Sequence, residues 1–173
     1  MARVFVAIGS NVDRDASIRA GVRALRQAFG ALTLSPVYRS RAVGFEGDDF
    51  YNLVAAFDTE RGPREVADML DAIEQRFGRD RAAPRFSPRA LDLDLLLYND
   101  LVTHDRDLAL PRDDIGRYAF VLRPLAEIAG ECRHPVTGKR FAELWAGFDR
   151  DSQDLFPVVL DLDGNESVNA AEP

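Results

Sequence analysis

The chain has 173 residues, 46% of them hydrophobic and 29% charged, a composition that fits one folded domain and excludes wholesale disorder. Its formal net charge of −7 argues against general binding of nucleic acid or an anionic membrane. The single Cys132 excludes an intrachain disulfide and a cysteine metal cluster, and no apolar run approaches the ~18 residues of a membrane span.

Residues 3–8 predict a buried strand, with Val4, Val6 and Ile8 on one face and Phe5 and Ala7 on the other. The turn cluster Gly9-Ser10-Asn11 ends it. Ile18, Val22, Leu25 and Phe29 then recur at helical spacing over 15–29, with Asp13 or Asp15 as the cap and Gly30 as the stop. A second strand over 32–39 carries Pro36, which favours a sheet edge or a bulge. After a loop over 40–49, a third strand runs over 50–59, opened by Phe50 and Asn52 on one face. Pro63 introduces a helix over 64–77 whose apolar stripe is Val66, Met69, Leu70, Ile73 and Phe77. Asp71 and Glu74 stand three apart on it and read as a solvated face. A fourth strand over 91–98 follows an arginine-rich loop. The order β-α-β-β-α-β predicts an α+β, ferredoxin-like sandwich, with an antiparallel sheet and both helices on one face.

A C-terminal extension follows, with a short strand over 101–103, a polar loop over 104–116, and helices near 119–128 and 140–145. His104 and His134 read as surface residues. One domain is expected over 1–160, with 161–173 a mobile tail. The apolar stretch over 1–8 is too short for a signal peptide, so a cytoplasmic location is expected. No obligate protein partner is evident.

The fourth strand and the loop before it carry the chemistry. Arg76, Arg79, Arg81, Arg85 and Arg89 fall in one short stretch whose only acid is Asp80. A basic patch in an acidic chain points to a specific anionic ligand. On the strand itself, Asp92 and Asp94 project from one face, and Leu91, Leu93 and Leu95 from the other. Two neighbouring carboxylates repel, and burial worsens the repulsion. They need a positive partner, either arginines that make them structural ion pairs or a divalent cation. Two carboxylates at i, i+2 can hold one or two Mg²⁺ ions and leave positions open for phosphate oxygens, and guanidinium groups bind the same oxygens bidentately. Phe50 with Asn52 reads either as the lining of a flat aromatic pocket or as ordinary strand packing. Phosphate-cradling loops are absent, since Arg133 stands where a Walker sequence ending at Gly138-Lys139 needs glycine. The topology is also that of an RNA-binding module, but residues 52–57 lack its aromatic pattern.

Three elements together resemble the 6-hydroxymethyl-7,8-dihydropterin pyrophosphokinase family. They are Ile8-Gly9-Ser10-Asn11, Phe50-Tyr51-Asn52, and Pro88-Arg89-Ala90-Leu91-Asp92-Leu93-Asp94. The resemblance covers nearly the whole chain and implies a ferredoxin-like enzyme of the folate pathway. Such an enzyme transfers pyrophosphate from ATP to the hydroxymethyl group of a reduced pterin, releasing AMP, with two magnesium ions. By that resemblance Asp92 and Asp94 hold both ions. Arg89 contacts the phosphates, and Arg79 and Arg81 belong to a loop that closes on ATP with Phe86 in place of a tryptophan. Asp71 (usually glutamine) and Glu74 lie at the ATP site. Phe50 and Phe120 flank the pterin, Asn52 reads its polar edge, and Ser40, Arg41, Ala42 and Val43 supply backbone contacts. Arg112 replaces the family's usual histidine and keeps a positive charge near the triphosphate. Tyr118 replaces an arginine, with Arg117 one position earlier. Ser40-Arg41-Ala42 replaces Thr-Pro-Pro, and the loss of two prolines should loosen that loop. A diverged paralogue that binds pterin or nucleotide with another substrate or reduced activity is the alternative reading.

Overall fold

The structure is a computed structural model and describes residues 1–78 and 90–162. The alternating N-terminal residues form β1 (Ala2–Ser10). Helix α1 (Arg14–Phe29) buries Ile18, Val22 and Leu25 at helical spacing and stops at Gly30, whose φ of 84° suits a residue without a Cβ. The expected carboxylate cap is not made. Asp13 takes a left-handed conformation with no side-chain cap bond, and Ser17 Oγ instead donates to the Val12 carbonyl at 2.8 Å. Gly21 lets this helix lie close to the sheet, since a Cβ there would sit 2.7 Å from Leu91 Cδ1.

Pro36 splits the second strand into β2 (Thr33–Leu34) and β3 (Val37–Ser40), as a residue without an N–H must. Ser35 bridges the gap to β4 (Phe50–Thr59), donating its N–H to the Val54 carbonyl at 2.9 Å and accepting the Val54 N–H on Oγ at 2.8 Å. Helix α2 (Pro63–Arg76) leads to β5 (Asp92–Tyr98). The sheet order is β5-β1-β4-β3 with antiparallel pairing throughout, the ferredoxin-like arrangement.

β8 (Leu155–Val158) pairs antiparallel outside β3, so the edge expected around Pro36 stays open only along β2, which among the described residues pairs with β4 alone. Residues 104–116 are not a plain loop. They contain most of a hairpin, β6 (Thr103–Asp105) with β7 (Leu108–Leu110), and the one-turn helix α3 (Asp114–Arg117), elements too short to leave a periodic signal. Helices α1 and α2 share one face of the sheet, as expected, and the helices of the C-terminal extension cover the other. Val4, Val6, Ile8, Leu53 and Phe57 pack with Leu25, Val66, Leu70 and Ile73 of α1 and α2. Phe5, Val54, Ala56, Leu96 and Leu97 pack with Val121, Leu122 and Leu125 of α4 (Ala119–Ala129) and Phe141 of α5 (Phe141–Ala146). The register of β1 against β5 shifts between Phe5 and Val6, leaving Leu96 as an extra residue, so Leu96 and Leu97 reach the same core. Among the described residues no helix is long and apolar enough to cross a membrane. The tail over 163–173 lies outside the described residues.

Candidate active site

Strand register assembles the site. Asp92 lies opposite Gly9, Gly9 opposite Asn52, and Asn52 opposite Tyr38, while Asp94 lies opposite Ala7. Residues paired across a sheet present their side chains on the same face. Asp92, Asp94, Asn52, Phe50 and Ser40 therefore share the face that α4 covers. Gly9 sits between the carboxylates and the amide. A Cβ at Gly9 would stand 3.2 Å from Asn52 Oδ1 and 3.8 Å from Phe50 Cδ1, so the glycine keeps the floor between them low. Asn52 is buried, and its Nδ2 donates to Ser40 Oγ at 2.7 Å, which fixes the orientation of the amide.

The carboxylate end has a cation supplied by the chain. Arg112 Nη2 lies 3.3 Å from Asp94 Oδ1, and its Nε donates to Asp114 Oδ2 at 3.0 Å. Its backbone N–H donates to the Leu96 carbonyl, at the bulge in β5, at 3.0 Å. Burial by itself would lower the pKa of this guanidinium; the charges of Asp94, Asp114 and Asp92 outweigh that and raise it above the ordinary value.

Glu74 is not on a solvated face. It is fully buried, and its Oε1 accepts the Leu93 N–H at 2.7 Å. β5 is the outer strand of the sheet, so Leu93 has no further strand to take that hydrogen bond. The carboxylate supplies the acceptor, at the residue between Asp92 and Asp94. Asp71, one turn earlier on α2, is half-buried and lines a cleft of about 370 Å³ bounded by α2, β5, β7 and α3, into which Asp94, Arg112 and Asp114 also open.

The other candidate residues divide by location. Arg79, Arg81, Phe86 and Arg89 lie outside the described residues. Ser40 is buried against Asn52, whereas Arg41 is exposed and pairs with Asp154 at 3.4 Å. Ala42 is half-buried and Val43 exposed on the segment leading to Phe45, whose ring meets that of Phe50 edge-on at 6.3 Å. Phe120, in the first turn of α4, stacks on Tyr118 with ring centroids 4.9 Å apart. Arg117 is exposed at the end of α3, where its carbonyl accepts a hydrogen bond from Gln153. Sequence reading missed Asp114 and the spacer role of Gly9. A glycine just past an apolar strand and an acid two residues after Arg112 were the available signals.

The family model for 7,8-dihydro-6-hydroxymethylpterin-pyrophosphokinase matches residues 5–130. The chain belongs to this family. It is 39% identical over 151 residues to the 2-amino-4-hydroxy-6-hydroxymethyldihydropteridine pyrophosphokinase of Pseudomonas aeruginosa, covering 83% of this chain and 90% of that protein. Against the Aquifex aeolicus pyrophosphokinase it is 33% identical over 145 residues, covering 83% and 90% of the two chains. The crystal structure of Plasmodium falciparum HPPK-DHPS wild type superimposes with a TM-score of 0.66 at 12% identity, over 84% of this chain and 44% of that one. This likeness shows the fold, and the chain spans less than half of that longer protein. Membership makes the chain a pyrophosphokinase, a transferase of folate biosynthesis; the comparisons support this reading and not a diverged paralogue with another substrate or reduced activity.

Proposed function

We propose that this pyrophosphokinase moves the terminal diphosphoryl group of ATP to the hydroxymethyl oxygen of 6-hydroxymethyl-7,8-dihydropterin across the sheet face between Asp94 and Asn52. The observation that carries this reading is the strand register, which aligns Asp92, Gly9 and Asn52 in one row. Phe50 and Phe120 flank the pterin ring, and the amide pinned by Ser40 reads its polar edge. The segment from Ser40 through Arg41 and Ala42 to Val43 supplies backbone contacts.

Asp92 and Asp94 fit a hard divalent cation. They are two half-buried carboxylates on one strand face, and Asp94 lines the cleft. No cluster of three or more metal-ligating side chains occurs among the described residues, so a cation here would complete its shell with water and phosphate oxygens, as Mg²⁺ does. When bound, magnesium (two ions by the family pattern) neutralises charge on the phosphoryl group in transfer.

The chain's own groups then act by position and charge. Arg112 faces the triphosphate from the cleft side, with Arg117 further along α3. By the family resemblance, Arg89 is assigned to the phosphates and Arg79, Arg81 and Phe86 to the ATP-binding loop. Asp71 borders the nucleotide cleft, and Glu74 holds β5 in place between the two aspartates. The pterin hydroxyl oxygen attacks the β-phosphorus in line, the bond from that phosphorus to the α-phosphate oxygen breaks, and AMP leaves. The hydroxyl proton passes to solvent. The test is AMP formation by purified protein with ATP and Mg²⁺. AMP that appears only when the hydroxymethyl pterin is present supports the reading, and no AMP with that pterin contradicts it.

A further inference from the structure

We infer that Arg112 is a tethered counter-ion that occupies Asp94 before substrates arrive and makes cation binding depend on nucleotide. The inference rests on the proposal that Asp92 and Asp94 hold the metal. Arg112 has three anchors: its backbone N–H on the Leu96 carbonyl at 3.0 Å, Nε on Asp114 at 3.0 Å, and Nη2 on Asp94 at 3.3 Å. The side chains of Arg112, Asp94 and Asp114 are 35%, 25% and 13% exposed, so salt screens these pairs less than it screens surface pairs. A cation that approaches Asp94 alone meets a carboxylate already neutralised and a fixed positive charge beside it. It must displace the guanidinium or bind next to it, and both weaken binding.

A cation that arrives with a polyphosphate meets different terms. The phosphate oxygens offer Arg112 a new bidentate partner. Asp114 holds the guanidinium within reach while Nη2 leaves Asp94, so the exchange needs only a side-chain rotation about a retained hydrogen bond. Metal and nucleotide then strengthen each other's binding by the same factor.

The experiment measures Mn²⁺ binding by the electron paramagnetic resonance of the free ion, for wild type, Arg112→Gln and Asp94→Asn, each with and without α,β-methylene-ATP and each read against a protein-free sample of the same composition, because the nucleotide itself chelates Mn²⁺. Wild type should bind Mn²⁺ weakly alone and tightly with the analogue. Arg112→Gln should bind Mn²⁺ alone roughly tenfold more tightly than wild type, the low end of what a hydrogen bond between charged groups contributes, and should gain less from the analogue. Asp94→Asn should lose binding in both conditions. Wild-type Mn²⁺ affinity in Arg112→Gln, with binding lost in Asp94→Asn, overturns the counter-ion role and leaves the metal site standing. Wild-type binding in Asp94→Asn overturns both. If Arg112→Gln does not fold, Arg112→Met, which keeps an unbranched stem and carries no charge, replaces it with the same expected tightening.

Discussion

Gly9→Ala separates the space of the site from the stability of the fold. The new Cβ would lie 3.2 Å from Asn52 Oδ1, so the amide must move by a few tenths of an ångström. The Asn52 amide is tied to Ser40 by a 2.7 Å hydrogen bond, so moving it strains or breaks that bond, at about 0.5–1.5 kcal/mol. Replacing a glycine in a strand returns roughly 0.5–1 kcal/mol of backbone entropy. The two nearly cancel, and the melting temperature should move by no more than ~2–4 °C. Binding is different, because the methyl group rises from the floor between Asp92 and Asn52, where the pterin is proposed to lie. Pterin affinity should fall at least about tenfold, equivalent to one lost hydrogen bond with a charged or well-oriented partner. Fluorescence titration of the pterin with thermal melting on the same sample checks both halves. Unchanged pterin affinity in a variant that melts normally would refute the claim that the pterin sits on this face over Gly9.

Two further predictions concern single side chains. Glu74→Ala leaves the Leu93 N–H buried without this acceptor and opens a cavity, and should cost ~2–4 kcal/mol in urea denaturation, with Glu74→Gln costing less because it keeps an oxygen there. Unchanged stability in Glu74→Ala together with a raised KM for ATP would instead make Glu74 a nucleotide contact. His134 is pushed to a lower pKa by burial, and its Nδ1 accepts the N–H groups of Val136 and Thr137. The unfolded chain therefore takes up this proton at a higher pH than the folded chain. Stability should fall as pH drops through the ordinary histidine value of about 6.5, and His134→Asn should flatten that slope in denaturation curves taken between pH 5.5 and 7.5. An identical slope in the variant would contradict the assignment.

Legibility in the sequence followed the strength of the local pattern. The alternation in β1 and β4 and the apolar stripes of α1 and α2 run over nine or more residues, and each was readable from its own segment. The Asp92 and Asp94 pair was readable because two acids interrupt a leucine-rich strand. The features that escaped depend on partners distant in sequence. β8 has four residues and exists as a strand because β3 offers an edge. Glu74 looks like any helix acid until the outer position of β5 leaves the Leu93 N–H needing an acceptor. Arg112 reads as a loose phosphate contact, and only the fold brings it to Asp94 and Asp114 at once.

The measurement that tests the central claim most directly is the rate of pterin-dependent AMP formation as Mg²⁺ is titrated, in wild type and Asp94→Asn. The amide keeps the shape of the side chain and removes the charge, and Arg112 keeps Asp114 as a partner, so the variant should stay folded with a melting temperature lowered by no more than a few degrees. A lost cation contact is worth several kcal/mol at the transferring phosphoryl group, about a thousandfold in rate, and excess Mg²⁺ should not restore it. A variant that turns over near the wild-type rate with the same Mg²⁺ dependence would contradict the account.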